Sequence, residues 1–152
     1  MSNEIIYGSS PMLKKSRLII RLLITLLIAC SAASVSANIE LPDAVKTIAS
    51  AQYFSTGYNG FIAHKSAGEQ ALRTVASSPD ATGKLLDIAR SPSTTLAGRL
   101  YAACGLNQQE YNDMDIIFTP FFHFTVSVLR GDVLTQESFQ DLYGRIVAYG
   151  CN

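Results

Sequence analysis

Two Ser-Pro pairs, Ser78-Pro79 and Ser91-Pro92, cut the middle of this chain into helix-length pieces. Proline has no amide hydrogen and fixes its own φ, so it stands well in the first turn of a helix and badly any deeper. Each pair therefore closes one helix and opens the next. The flanking apolar residues keep the spacing this requires. Ala67, Ala71, Leu72, Val75 and Ala76 recur at helical intervals before the first pair, and Ala81, Leu85, Ile88 and Ala89 recur after it. Leu96, Leu100, Tyr101 and Cys104 form a third stripe, in a helix running from Ser91-Pro92 to about Gly105.

The pattern extends to both sides. Leu41-Pro42-Asp43 places a proline and an acid in a first turn, ahead of Ala44, Val45, Ile48 and Ala49. Residues 108–118 read as a short acidic helix, with Tyr111, Met114 and Phe118 inward and Glu110, Asp113 and Asp115 in solvent; Thr119-Pro120 stops it. Thr135 is expected to cap a last helix whose core face is Phe139, Leu142, Tyr143 and Ile146, ended by Gly150. The expected fold is all-α, a compact bundle of about five or six helices.

Two stretches escape this grammar. "STGYNGFIAHKSAG", residues 55–68, holds three glycines and an Asn-Gly pair, which mark a loop or turn. "FFHFTVSVLRGD", residues 121–132, fits two periods. Phe122, Phe124, Val126 and Val128 alternate as in a strand, while Phe121, Phe124 and Val128 fit a helix with Gly131 as its C′ residue. A strand needs a partner, and only "DVLT" lies near, so the segment is read as helix, with a short hairpin near 122–134 as the alternative. Gly83-Lys84-Leu85-Leu86 and Gly98-Arg99-Leu100-Tyr101 echo one another, and the two helices are expected to cross closely at those glycines.

Ahead of all this stands a leader. Lys14, Lys15, Arg17 and Arg21 precede an apolar stretch from Leu22 to Ala29 and then the small residues 31–37. That order is the order of a secretory signal peptide. The stretch is too short for the roughly 20 apolar residues a membrane crossing takes. Met12 makes a tidier start than Met1. Val35-Ser36-Ala37 offers a cleavage site that would make residues 1–37 the signal and Asn38 the first mature residue. Leu27-Ile28-Ala29-Cys30 resembles the lipobox of bacterial lipoproteins, which implies a signal at 1–29 and a lipid on Cys30. Both cuts stay open, and both leave residues 38–152 as a single domain.

Beyond residue 37 the chain has eight Lys/Arg and 11 Asp/Glu, a net charge of −3. The cations are scattered singly, as on a solvated surface. No basic cluster is present to neutralise phosphates, which argues against nucleic acid and a polybasic membrane contact. Only Cys104 and Cys151 remain as thiols after either cut. Two thiols in an oxidising compartment imply one disulfide. Closing so long a loop contributes about 4 kcal/mol in the chain-entropy model.

Signs of chemistry are sparse. His64 and His123 are 59 positions apart, without metal-ligand spacing, so no metal or cofactor is expected. No G-x-S-x-G elbow occurs, and Gly57, Gly60 and Gly68 lack the Walker pattern. A site joining His123 to Asp115 or Ser127 is open to sequence, although a packed, hydrogen-bonded His123 explains the residue as well. Arg130-Gly131-Asp132 reads as a turn rather than an adhesion tripeptide.

Aromatic residues are the stronger signal. Tyr53, Phe54, Tyr58 and Phe61 crowd one glycine-containing segment, and Phe121 and Phe122 belong to another. A domain of 115 residues cannot readily bury them all, so these six are candidate anchors for a partner.

"TLAGRLYAACGL", residues 95–106, resembles a segment of small exported bacterial helical proteins without assigned function, and the paired helices resemble HEAT-type packing. The resemblance implies an all-helical fold and carries no site. The sequence thus leads to an exported envelope domain that binds another envelope protein, as an inhibitor, an immunity factor or an assembly subunit. It would work in the periplasm, or at the periplasmic face of the outer membrane if Cys30 is lipidated. The alternatives are a small enzyme with a site near His123, and a small-molecule binder with an aromatic pocket between helices.

Overall fold

A computed structural model describes residues 39–60 and 63–151. The chain divides between Ala37 and Asn38, and the expected leader, with Cys30 and both candidate cleavage sites, lies outside the described residues.

Six α-helices and two small antiparallel sheets make up the described part. In chain order these are α1 (Leu41–Ala49), β1 (Tyr58–Asn59), β2 (His64–Lys65), α2 (Ala67–Ala76), α3 (Ala81–Arg90) and α4 (Leu96–Gln108). Then come α5 (Met114–Phe118), a 3-10 turn (Thr119–Phe121), β3 (Thr125–Arg130), β4 (Val133–Ser138) and α6 (Phe139–Tyr149). Helix starts follow local chemistry. Ser66 accepts a hydrogen bond from the Glu69 amide at 3.1 Å, and Thr95 accepts one from Gly98 at 3.0 Å. Each thereby satisfies an amide that the first turn leaves without an internal partner.

Helix α4 is the axis of the molecule. Ala97 to Leu106 are all buried, and α1, α2, α3, α5 and α6 each pack against it. The single inward stripe expected for this helix is therefore too narrow. Its small residues, Ala97, Gly98, Ala102, Ala103 and Gly105, let neighbours approach on every side. A Cβ on Gly98 would lie 2.4 Å from the Ile48 carbonyl at the end of α1, and one on Gly105 would lie 2.7 Å from the Leu85 methyls of α3. The expected Gly83–Gly98 crossing is absent: Gly83 faces the carboxylate of Asp80, three residues earlier in its own turn.

The disulfide forms between Cys104 in α4 and Cys151 just beyond α6, with Cα atoms 5.7 Å apart. It fastens the last helix to the central one.

The helical reading of residues 121–130 is corrected. Thr125–Arg130 pairs with Val133–Ser138 over six consecutive positions, from Thr125 opposite Ser138 to Arg130 opposite Val133. The Gly131-Asp132 loop joins them, with Gly131 at φ 61°, as a two-residue hairpin turn requires at its first central position. Val126 and Val128 point into the core, the period-two pattern that competed with the helical one. A second partner comes from far along the chain. Phe54 donates its amide to Ser127 (2.8 Å) and accepts from the amide of Leu129 (2.9 Å), bridging β3 in parallel. The final helix consequently starts later than expected. Thr135 lies in β4 opposite Val128, and Ser138 caps α6 through the Asp141 amide. Thr119-Pro120 ends α5 at Phe118 as expected, with a 3-10 turn following through Phe121; it is the start that differs, since α4 runs on to Gln108 and α5 begins only at Met114.

Candidate functional site

At one end of the molecule the β1–β2 hairpin meets the tip of β3–β4. Between them lies an open cleft of about 430 Å³, lined by Tyr53, Asn59, His64, Lys65, Leu129 and Asp132, among others. Four large apolar side chains stand exposed around this end: Tyr58 (70%), Val133 (62%), Leu134 (59%) and Tyr53 (37%). The ammonium of Lys65 sits over the Tyr58 ring, 5.3 Å from its centre.

A buried polar network holds the β1–β2 hairpin in place. The Tyr101 hydroxyl, carried by α4, donates to the Ser55 carbonyl and accepts from the Ser55 amide, both at 2.9 Å. It also lies 2.9 Å from the Ser66 hydroxyl. Ser55 donates to the Asn59 side chain at 2.9 Å. Burial pushes the Tyr101 phenol above its ordinary pKa, so it remains protonated at neutral pH. Glu69 is 8% exposed and completes the arrangement, accepting from the Gly57 amide at 2.9 Å and pairing with Lys65 and Arg73. Every buried polar atom here has a partner already, so the network acts as a scaffold beneath the cleft rather than as a set of free reacting groups.

The six candidate anchors separate. Tyr53 and Tyr58 are exposed beside the cleft. Phe54 is core, 6% exposed and 5.0 Å from the ring of Tyr101, because its backbone serves as an edge partner of β3. Phe121 and Phe122 are half-buried, their rings tilted against Phe139 at 5.9 Å and Tyr143 at 5.3 Å, so they seat the 3-10 turn on α6 and are not free anchors. Phe61 lies outside the described residues.

His123, expected to pack and hydrogen-bond, is exposed, with its ring 3.9 Å from that of Phe124. The two candidate partners of His123 are engaged elsewhere. Asp115 accepts from the Tyr143 hydroxyl at 2.6 Å, and Ser127 accepts from the side-chain amide of Gln136 at 2.8 Å. Burial, and then the Asp115 carboxylate, raise the pKa of Tyr143. Among the described residues no group of three or more His, Cys, Asp or Glu is arranged to hold a metal ion, and no helix is long and apolar enough to cross a membrane.

Two features have no sequence signal strong enough to find them. Arg99, expected in solvent, is 6% exposed and runs beneath the 3-10 turn. It donates to the carbonyls of Ala89 and Ser91, the latter at 2.7 Å, and its guanidinium stands 4.1 Å above the Phe121 ring. Burial lowers its pKa without discharging it. Glu137 of β4 lies between Arg130 of β3 and Arg145 of α6. Burial tends to raise its pKa, but the hydrogen bonds and charges of the two arginines outweigh that and hold it low.

The fold and site define a disulfide-linked, mostly helical domain with a paired-hairpin end. No family model, curated protein or solved structure matches the chain.

Proposed function

We propose that residues 38–152 form an exported bacterial envelope domain that acts by binding another protein, as an inhibitor, an immunity factor or an assembly subunit. The observation that carries this reading is the hairpin end. Tyr53, Tyr58, Val133 and Leu134 stand in water at this end, Tyr53 in the wall of the open cleft, above a network in which Tyr101, Ser55, Ser66 and Glu69 are already hydrogen-bonded. Exposed aromatic and aliphatic side chains gathered at one end are the usual raw material of an interface core. The Cys104–Cys151 disulfide favours an oxidising compartment such as the periplasm. The leader supplies the route, and a lipid on Cys30 would hold the domain at the outer membrane.

The test is affinity capture from native envelope extract, comparing the unaltered protein with a Tyr58→Ser, Leu134→Ser double variant. A partner retained by the first and lost from the second, at equal thermal stability, is the expected result. Equal capture by both would take the hairpin end out of the reading. Intact mass of the captured chain reads the N-terminus: an unmodified Asn38 rules out the lipoprotein.

A further inference from the structure

We propose that the free edge of β4 takes an extended, basic segment of a partner protein as an added strand. The proposal rests on the protein-binding reading above and names the partner's chemistry.

Backbone alternation sets the edge. Ser127 and Leu129 direct their backbone groups to Phe54, away from β4. Val126, Val128 and Arg130 therefore bond to β4, opposite Glu137, Thr135 and Val133. The amides and carbonyls of Leu134 and Gln136 are left facing outward. β3 is thus covered on both sides and β4 on one. Natural edge strands are usually blunted by lysine, proline, a bulge or shortness. β4 has none of these: its sequence is "VLTQES", its six pairs run without a bulge, and Val133 to Gln136 are all exposed. Its one charge, Glu137, is already held by Arg130 and Arg145.

Charge names the occupant. Among the described residues Lys65, Arg73, Lys84, Arg130 and Arg145 sit in ion pairs, and Arg99 is buried against carbonyls. The strand is bracketed by two exposed acids with no cationic partner among the described residues, Asp132 just before it and Asp141 in the first turn of α6. A segment laid along about 20 Å of edge passes Asp132 at the hairpin tip, whose carboxylate also reaches toward Gly60, and runs toward Asp141 in the first turn of α6. A second copy of this chain fits less well. Antiparallel pairing about a two-fold axis would bring the Asp132 end of one β4 to the Asp141 end of the other, acid against acid. A strand with Lys or Arg near both ends meets opposite charge instead, while its backbone supplies the hydrogen bonds.

The experiment uses the purified protein and two synthetic peptides sharing a core of alternating Val and Thr, one flanked by lysines and one by glutamates. Fluorescence anisotropy is expected to show at least about tenfold tighter binding of the lysine peptide, with the Leu134 and Gln136 amides becoming protected from hydrogen exchange. An Asp132→Lys, Asp141→Lys variant changes only exposed residues and is expected to reverse the preference. Equal affinity for both peptides, or protection mapped to another surface, overturns the proposal. Concentration-dependent dimers that Leu134→Lys abolishes would assign the edge to a second copy and overturn it as well. The wider reading is tested separately: an envelope partner captured equally by the charge-reversed variant removes this edge and leaves protein binding standing.

Discussion

Tyr101 shows how much one hydroxyl can organise. It rises from α4 to meet the amide and carbonyl of Ser55 and the hydroxyl of Ser66, joining three parts of the chain. Tyr101→Phe keeps the ring and leaves those groups short of a partner. The expected cost is about 1–3 kcal/mol, read from the urea midpoint at unchanged slope. Glu137 gives a pH signature. Its folded pKa lies below its unfolded one, so its contribution is fully present above the unfolded value, near 4.5, and is lost as pH falls through the folded value. Acid titration of stability is expected to be shallower in Glu137→Gln across that window. Neither residue was legible from sequence in this role. Tyr101 was visible only as one member of an apolar stripe, because its hydroxyl partners come from residues 55 and 66. Arg99 was hidden for the same reason: a single basic residue in a helix looks solvated until the element that covers it is known.

At the level of elements, the Ser-Pro pairs close α2 and α3 as expected, but neither proline sits in a first turn: α3 opens at Ala81 after Asp80, and α4 at Leu96, where Thr95 caps it. The hairpin is less legible, since "FFHFTVSVLRGD" carries both periods and the choice rests on pairing. The deciding partners are "VLTQES", longer than the "DVLT" that local inspection offers, and Phe54, which no local window contains. The site shares this limit. Tyr53 and Tyr58 were found through composition, whereas Val133 and Leu134 join them only once β4 exists. Close packing around α4 makes a sharp contrast between two helical glycines. Gly98→Ala would set a methyl against the Ile48 carbonyl, and Gly144→Ala would meet nothing within 4 Å. The first is expected to destabilise by about 2 kcal/mol or more. The second is expected to stabilise by about 0.5–1 kcal/mol, since alanine is the better helix former. Paired thermal melts check both.

For the whole molecule the crosslink is the largest single constraint. Cys104→Ser with Cys151→Ser is expected to cost about 2–4 kcal/mol, measured against the oxidised protein in denaturant. Denatured, unreduced protein should show neither of these thiols in a free-thiol titration; two free thiols would contradict the bond. The disulfide was within reach of the sequence because counting cysteines beyond residue 37 leaves only one pairing. Its placement, at the wall of the central helix, was not.

The enclosure of α4 has a kinetic meaning. A helix walled in by five others cannot fray toward solvent from one face, and none of its neighbours can leave without uncovering it. Its amides should therefore exchange with deuterium only when the entire domain opens, while the hairpin end breathes at lower free energy. Such a molecule can offer a yielding edge to visitors and still keep its centre shut.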